Sequence, residues 1–502
     1  MKPIQLLYVK NIISRHRGDA QQDLVFFMLV ENLAYDKQVE VHWAGEDGVW
    51  RTLPAEYHSA TGQSREIWYA QAKFYLSEET LLPGDIEFAL RYRVLGKEYW
   101  DNNYRQNYAI NADSGVQVAQ EVPLLNIEFN PMLQHGQQFY PITVAVRHSL
   151  QPKGVYIHWT TDHWESVHTT PCFFKRKHWD KTLWSNARNP NKYGYGIWIS
   201  QIKVDDAYRV EYAIACETAT RTIWDNNFGQ NYLTRRELLK VLILNLHCYQ
   251  EENQDAKFTQ IAKAISDLNI DIACLQEVGE HWNDGRGDWN SNAAKIICGL
   301  LREPYHLYTD WCHIGFGRYR EGVAILSKYK FVTQDAFFVS SSQDIYDIHA
   351  RKIVMAQVHV PYMGLTNVLS VHLSWLSDGF LEQFERLRGW ANHKHANNVA
   401  ATLLCGDFNI KAGSEGYAAV VNTQEYEDQF LRVTSQDVFD KIFRQSSQPW
   451  DHYLANDHRI DYIFMKKGSN LMVTSARPLF TEHDYGRVSD HYGYYMEFEP
   501  KC

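Results

Sequence analysis

"EYWDNNYRQNYAI", from Glu98 to Ile110, and "TIWDNNFGQNYLT", from Thr222 to Thr234, are nearly the same phrase written twice in one half of the chain. The repetition extends backwards. "QVEVHWAGEDGVW" (Gln38 to Trp50) matches "GVYIHWTTDHWES" (Gly154 to Ser166), and "DIEFALRYRVLGKEYWDNN" (Asp85 to Asn103) matches "AYRVEYAIACETATRTIWDNN" (Ala207 to Asn227). Each copy keeps one order: an alternating strand, a Trp-bearing turn, later strands, then WDNN. Val39, Val41 and Trp43, like Phe88, Leu90 and Tyr92, recur every second residue. That is the period of a half-buried strand. Trp100 and Trp224 lie about one domain's length apart. The repeat predicts two all-β sandwiches, at residues 1–115 and 116–234.

The remaining composition fits a soluble, multidomain chain. At 502 residues it is too long for one ordinary core. Apolar residues make up 45% and charged residues 22%, a globular balance. The net charge of −10, with no run of Lys and Arg, argues against a protein that works by gripping nucleic-acid phosphates. The eight cysteines are scattered without a CxxC pair, which points to a reducing compartment. The opening "MKPIQLLYVKNIISRHRGD" has too short an apolar run for a secretory signal, and no stretch is long enough to span a membrane. The expected location is the cytoplasm, with no nucleic-acid and no membrane partner.

From Leu238 the pattern changes. "VLILNLHCY" is a continuous apolar run, and "DAKFTQIAKAISDLN" then sets Phe258, Ile261, Ala262, Ile265 and Leu268 at helical spacing. "IDIACLQEV" follows, apolar again. Strand, helix, strand within some forty residues begins a different class of domain, 238–502. Polar residues stand at the ends of its apolar runs. Asn245 and His247 end "VLILNLH", Gln276 and Glu277 end "IACLQE", and His372 ends "NVLSVH". Asp407 and Asn409 end "LLCGDFN", Asp490 and His491 open "SDHYGYYMEF", and Asp461 sits inside "RIDYIFMK". A charged or amide group at the end of a buried strand is costly unless something compensates it. Any one of them is ordinarily a satisfied structural residue. Six together suggest a hard divalent cation with acid–base groups around it.

Both halves resemble known families. The stretch "VKNIISRHRGDAQQDLVFFMLVENLAYDKQVEVHWAGEDGVWRTLPAEY", followed by "EYWDNNYRQNYAI", resembles the starch- and glycogen-binding modules of family 21, and the second copy is more diverged. That resemblance implies immunoglobulin-like sandwiches binding an α-glucan or a maltose-like sugar. Trp43, Trp100, Asn102, Asn103, Trp224, Asn226 and Asn227 are its candidate contacts. An aromatic face stacks on glucose and amides bond its hydroxyls. The alternative is that the tryptophans fill cores and the asparagines cap turns.

The LQE, GDxN and SDH motifs resemble the endonuclease/exonuclease/phosphatase superfamily, over about residues 239–499. The resemblance implies a DNase I-like four-layer α/β sandwich with its site at the strand ends. It implies Glu277, Asn245 and Asp490 as ligands of Mg²⁺, with Mn²⁺ equally suited. Asp407 would position or deprotonate the attacking water, and Asn409 would bond the phosphoryl oxygens. His491, oriented by Asp461, would stabilise the transition state, and His372 would contact the phosphate. His247 departs from the pattern, standing where several relatives carry a carboxylate.

Loops choose among the superfamily's substrates. "NLHCYQEENQDAKFTQIAKAI", "TDWCHIGFGRYREGVAILSK" and "VHLSWLSDGFLEQFERL" look most like bacterial maltose 6'-phosphate phosphatases. On that resemblance Trp311, Phe316, Tyr319 and Trp375 wall a sugar pocket, and Arg320 and Arg351 are candidate phosphate contacts. The substrate implied is a small sugar phosphate, maltose 6'-phosphate, cleaved by a Mg²⁺-dependent phosphatase. The alternatives are a phosphodiesterase of the same superfamily acting on lipid headgroups or nucleic acid, and a non-catalytic glucan scaffold.

Overall fold

The computed structural model describes residues 2–179, 184–283, 285–433 and 459–501. The chain divides into two compact units, Met1–Glu237 and Leu238–Cys502.

The described residues of the first unit form four antiparallel sheets in two pairs. One sheet orders Gly115–Val118, Ile4–His16, Asp19–Glu31, Arg65–Tyr75 and Glu56–Thr61. It faces a second built from Arg51–Pro54, Lys37–Ala44, Ile86–Val94 and Lys97–Asp101. Val9, Phe26, Val41, Trp43, Phe88 and Tyr92 fill the space between them. Gly115–Val118 pairs with the first strand, so the first sandwich runs on to Val118. In the second sandwich the sheet of Leu124–Ile127, Phe139–Arg147 and Tyr195–Lys203 faces that of His168–Pro171, Gly154–Thr160, Arg209–Glu217 and Thr222–Asp225. Its core includes Val144, Ile157, Tyr212 and Ile214.

The sandwiches also pack on each other. Leu7, Val25 and Phe27 on the back of one sheet meet Leu125, Ala145 and Ile197 on the back of another. The sheets carrying the two WDNN strands are therefore the outermost layers of a four-sheet stack.

The described residues of the second unit form a seven-stranded and a six-stranded sheet. Each holds one parallel pair joined by a helix. Leu239–Asn245 pairs with Ile272–Asn283 across the helix Gln254–Asp267, and Gly364–His372 pairs with Val399–Asp407 across Phe380–Lys394. The other strand pairs are antiparallel. Helix Gln254–Asp267 buries Phe258, Ile261, Ala262 and Ile265, the face its spacing predicts, against the first sheet. Helix Phe380–Lys394 buries Phe380, Phe384 and Leu387 against the second. Between the sheets Gln276 Nε2 donates to Ser370 Oγ at 2.9 Å. No helix of the described residues is long and apolar enough to cross a membrane.

Candidate active site and sugar-facing surfaces

The parallel pairs decide where the chemistry collects. Asn245 stands opposite Gln276 on the last rung of one pair, and His372 opposite Asp407 on the last rung of the other, with Asp407 opposite Asp461. Polar residues that end apolar runs in the sequence thus end neighbouring strands in space. Local backbone features turn them towards one point. Pairing slips between Leu275 and Val278, and Glu277 sits in that bulge at φ +48°. Bulges re-aim side chains beside active sites in this way. Gly406 lies at φ +142°, and a Cβ there would sit 2.2 Å from Val371 O and 2.6 Å from Gln276 Nε2. Only glycine lets Asp407 approach the facing sheet.

The result is one connected cluster. Asn245 Nδ2 donates to Glu277 Oε1 at 2.9 Å and to Asp407 Oδ2 at 3.0 Å. The Asn409 N–H donates to Asp407 Oδ1 at 2.8 Å, and its amide donates to Leu373 O at 2.8 Å beside His372 Nε2 at 3.3 Å. His491 Nδ1 lies 2.8 Å from Asp461 Oδ2, which turns Nε2 towards Asp407 Oδ2 at 3.8 Å. His372 Nε2 reaches Glu277 at 3.9 Å and Asp407 at 3.8 Å. Asp490 is more exposed and stands 3.6 Å from His247, which is 2.7 Å from Glu251.

Charge is unevenly distributed in this cluster. Burial, reinforced by the Asp461 charge, pushes Asp407 up to about 7. Burial disfavours a charged His491, but Asp461, Asp407 and Asp490 outweigh it and lift the imidazole to about 11. His372 is held well below the usual range by burial and then by Arg351, so it is neutral. Among the described residues, buried Asp461 Oδ1 has no hydrogen-bond partner. Among the described residues three groups bring ligand atoms within 4.8 Å of one another: Glu277, His372 and Asp407; Asp407, Asp461 and His491; and His247, Glu251 and Asp490. An oxygen-rich set with an unsatisfied carboxylate oxygen fits a hard divalent cation.

Sequence reasoning missed Glu321. It is buried on the strand beside the Glu277 bulge, 3.5 Å from His313 Nε2. Burial and then the Glu277 charge raise it to about 8. Its signal was weak, one acid inside "YREGVAILS". Also missed was a cleft of about 520 Å³ lined by Tyr249, Gln250, His281, Phe316, Arg318 and Tyr319. Phe316 and Tyr319, expected to wall a sugar pocket, line this cleft. Trp311 and Trp375 are outside this lining. Trp311 packs near Trp282 under the Arg320 guanidinium, and Trp375 begins a short 3₁₀ turn. Arg320 is committed to Glu280 at 2.5 Å, and Arg351 Nη1 donates to Ile348 O at 2.5 Å.

In the first unit, each WDNN stretch divides its residues by direction. Asp101 is buried, accepting from the Tyr108 hydroxyl at 2.7 Å and the Leu6 N–H at 3.0 Å. Asp225 does the same with the Tyr232 hydroxyl and the Asn126 N–H, both at 2.7 Å. Asn103 Nδ2 donates to Asn107 O, and Asn227 Nδ2 to Asn231 O. The Asn102 and Asn226 carbonyls accept from Arg105 N and Gly229 N. The asparagines thus brace the loops, and Asn227 is fully buried. Trp100 and Trp224 face outward, 43% and 54% exposed. Trp43 corrects the expectation of a sugar contact. It is 4% exposed, because alternation with Val39 and Val41 turns it into the core.

Residues 243–491 match the Endonuclease/Exonuclease/phosphatase family, and residues 5–111 and 126–235 each match the Carbohydrate/starch-binding module (family 21). The second unit belongs to the Endonuclease/Exonuclease/phosphatase family, and the first carries two family 21 modules. An endonuclease/exonuclease/phosphatase family protein from Leptotrichia buccalis is 27% identical, covering 52% of this chain and 99% of that one, with a TM-score of 0.44. Protein phosphatase 1 regulatory subunit 3E of Mus musculus is 40% identical over 81 residues, 16% of this chain and 28% of that protein. Glucoamylase 1 of Rhizopus oryzae is 33% identical over 87 residues, 16% of this chain and 13% of that protein. The chain thus spans under a third of the length of these two curated relatives.

Proposed function

We propose that this chain is a divalent-cation-dependent phosphoric monoester hydrolase acting on a sugar phosphate, maltose 6'-phosphate in the first place, with modules that bind α-glucan. The supporting observation is the meeting of Glu277, Asn245, Asp407, Asn409, His372, Asp461 and His491 at neighbouring strand ends. Glu277 and Asn245 would hold the cation, Mg²⁺ or Mn²⁺, with Asp490 at its outer edge. A bound cation would offset charge on the phosphoryl oxygens. Asp407, raised to about 7, suits a group that orients water and takes its proton near neutrality. The charged His491, fixed by Asp461, would donate to a phosphoryl oxygen as the bond to the sugar oxygen breaks. Neutral His372 and the Asn409 amide would bound the phosphate on the other side.

The aromatic cleft would take the leaving sugar. Its volume lies within the ~300–1,000 Å³ of small-molecule sites. Tyr249, its ring tilted 40° to that of His281 at 4.3 Å, and Phe316, beside Tyr319, offer faces for sugar rings. In this reading the second unit is the four-layer α/β sandwich and the modules are immunoglobulin-like. The modules would hold the enzyme near its sugars in the cytoplasm.

The test is phosphate release in Mg²⁺ from maltose 6'-phosphate, glucose 6-phosphate, a phosphoinositide and sphingomyelin (read as phosphocholine). Preference for the disaccharide is expected. Turnover of a lipid with the disaccharide ignored would overturn the sugar assignment.

A further inference from the structure

The two modules carry the same surface device. In the first, the His42 and Trp100 rings lie 5.0 Å apart, and His42 Nδ1 is 3.3 Å from Thr52 Oγ1. In the second, His158 and Trp224 lie 5.1 Å apart, and His158 Nδ1 is 3.1 Å from Thr169 Oγ1. The histidine and threonine are cross-strand partners in both copies. Each histidine also stands opposite an alanine of the middle strand, Ala89 or Ala213. A small residue there lets an imidazole and an indole meet across an intervening strand. Both alanines are covered, while Trp100 and Trp224 are exposed. The surroundings differ: Arg91 lies over Trp100, whereas Ala215 stands opposite Trp224. The Thr–His–Trp set persists although its neighbours do not.

Direction follows from alternation. Tyr99 and Ile223, each just before its tryptophan, pack against the cores, so both tryptophans point away from them. Because the modules stack back to back, these outward faces are the two opposite ends of four layers. Stacked sheets lie ~10 Å apart, so the faces are about 30 Å apart and look in opposite directions. No short oligosaccharide on one face can reach the other.

Resting on the proposal that these modules bind α-glucan, we infer that the first unit is a two-faced glucan cross-bridge, with one chain on His42–Trp100 and a second on His158–Trp224. The planar indole would stack on glucose rings, and the histidine, held by its threonine, would set the indole's tilt and offer a polar edge to hydroxyls. Two faces on one rigid unit would join separate branches of a glucan particle and raise avidity without any new contact.

The experiment uses the full chain with Trp100→Ala, Trp224→Ala and the double variant, each checked for an unchanged melting temperature. Calorimetric titration with maltoheptaose should give two sites per chain, one in either single variant, and affinity weakened roughly tenfold or more in the double variant. Light scattering with soluble glycogen should show particles cross-linked by the parent chain and not by either single variant. One site lost only with Trp100→Ala would leave the glucan reading standing and overturn the cross-bridge. Cross-linking that survives Trp224→Ala would overturn it too. A parent chain that binds no maltoheptaose would overturn the glucan reading itself.

Discussion

Asp225 in WDNN and Asp407 in GDFN are both buried at strand ends, and burial raises both, to about 6 and about 7. Their surroundings differ. Asp225 accepts from neutral donors, the Asn126 and Asn227 N–H groups and the Tyr232 hydroxyl, and so pins a loop. Asp407 has two donors of its own, but it also lies among Glu277, Asp461 and two imidazoles, beside a carboxylate oxygen with no hydrogen-bond partner among the described residues. A buried acid whose partners complete it is architecture. One placed among other acids and imidazoles, beside an unsatisfied oxygen, could hold a cation.

Exchanging the acids tests that distinction most strongly. Asp407→Asn should lower phosphate release by about 10²–10⁴-fold, measured in Mg²⁺ at pH 8, while the fold holds. Its effect on stability without cation has a definite sign. A carboxyl raised from 3.8 to about 7 is disfavoured as an anion in the fold, so the cost is absent below pH 4 and complete above 7. The variant should therefore melt higher than the parent at pH 8 and level with it at pH 4. Asp225→Ala should do the reverse. It leaves the Tyr232 hydroxyl and the Asn126 N–H without their acceptor, costing about 2–5 kcal/mol in denaturant unfolding of the first unit, with phosphate release per folded molecule unchanged.

Milder perturbations sharpen the contrast. Cation binding must displace protons from raised carboxyls, so stabilisation by Mg²⁺ should grow between pH 5 and 8. Thermal shifts at fixed Mg²⁺ check this, and Asp225→Asn should not alter the trend. The smallest effect is expected in the cleft. Phe316→Ala should lower kcat/KM for maltose 6'-phosphate about 2–10-fold and leave a small aryl phosphate unaffected.

The sequence showed the outline of both sites for a physical reason. Polar residues that interrupt or end apolar runs are conspicuous, and adjacent strands bring their ends together, so Asn245, Glu277, His372 and Asp407 were legible. Direction was less so. Trp43 alternates with two buried valines, yet the resemblance to family 21 modules placed it among the candidate sugar contacts, and only the strand's inward face settles it. The first strand–helix–strand run, from Leu238, could be read directly. The bulge at Glu277 could not, because it depends on pairing with a strand more than forty residues away. Glu321, Tyr249 and Arg318 carry no local pattern, and their roles arise from which loops the fold brings beside Glu277.

The most direct measurement is a Mg²⁺ titration of the full chain at pH 8, read by melting temperature and phosphate release together, with Glu277→Gln alongside. If the acid cluster of the second unit is a cation-dependent hydrolytic centre, melting of the parent rises saturably and phosphate release appears over the same concentrations. The variant should show neither. Phosphate release that persists in chelator, or a melting temperature indifferent to Mg²⁺, would contradict the account.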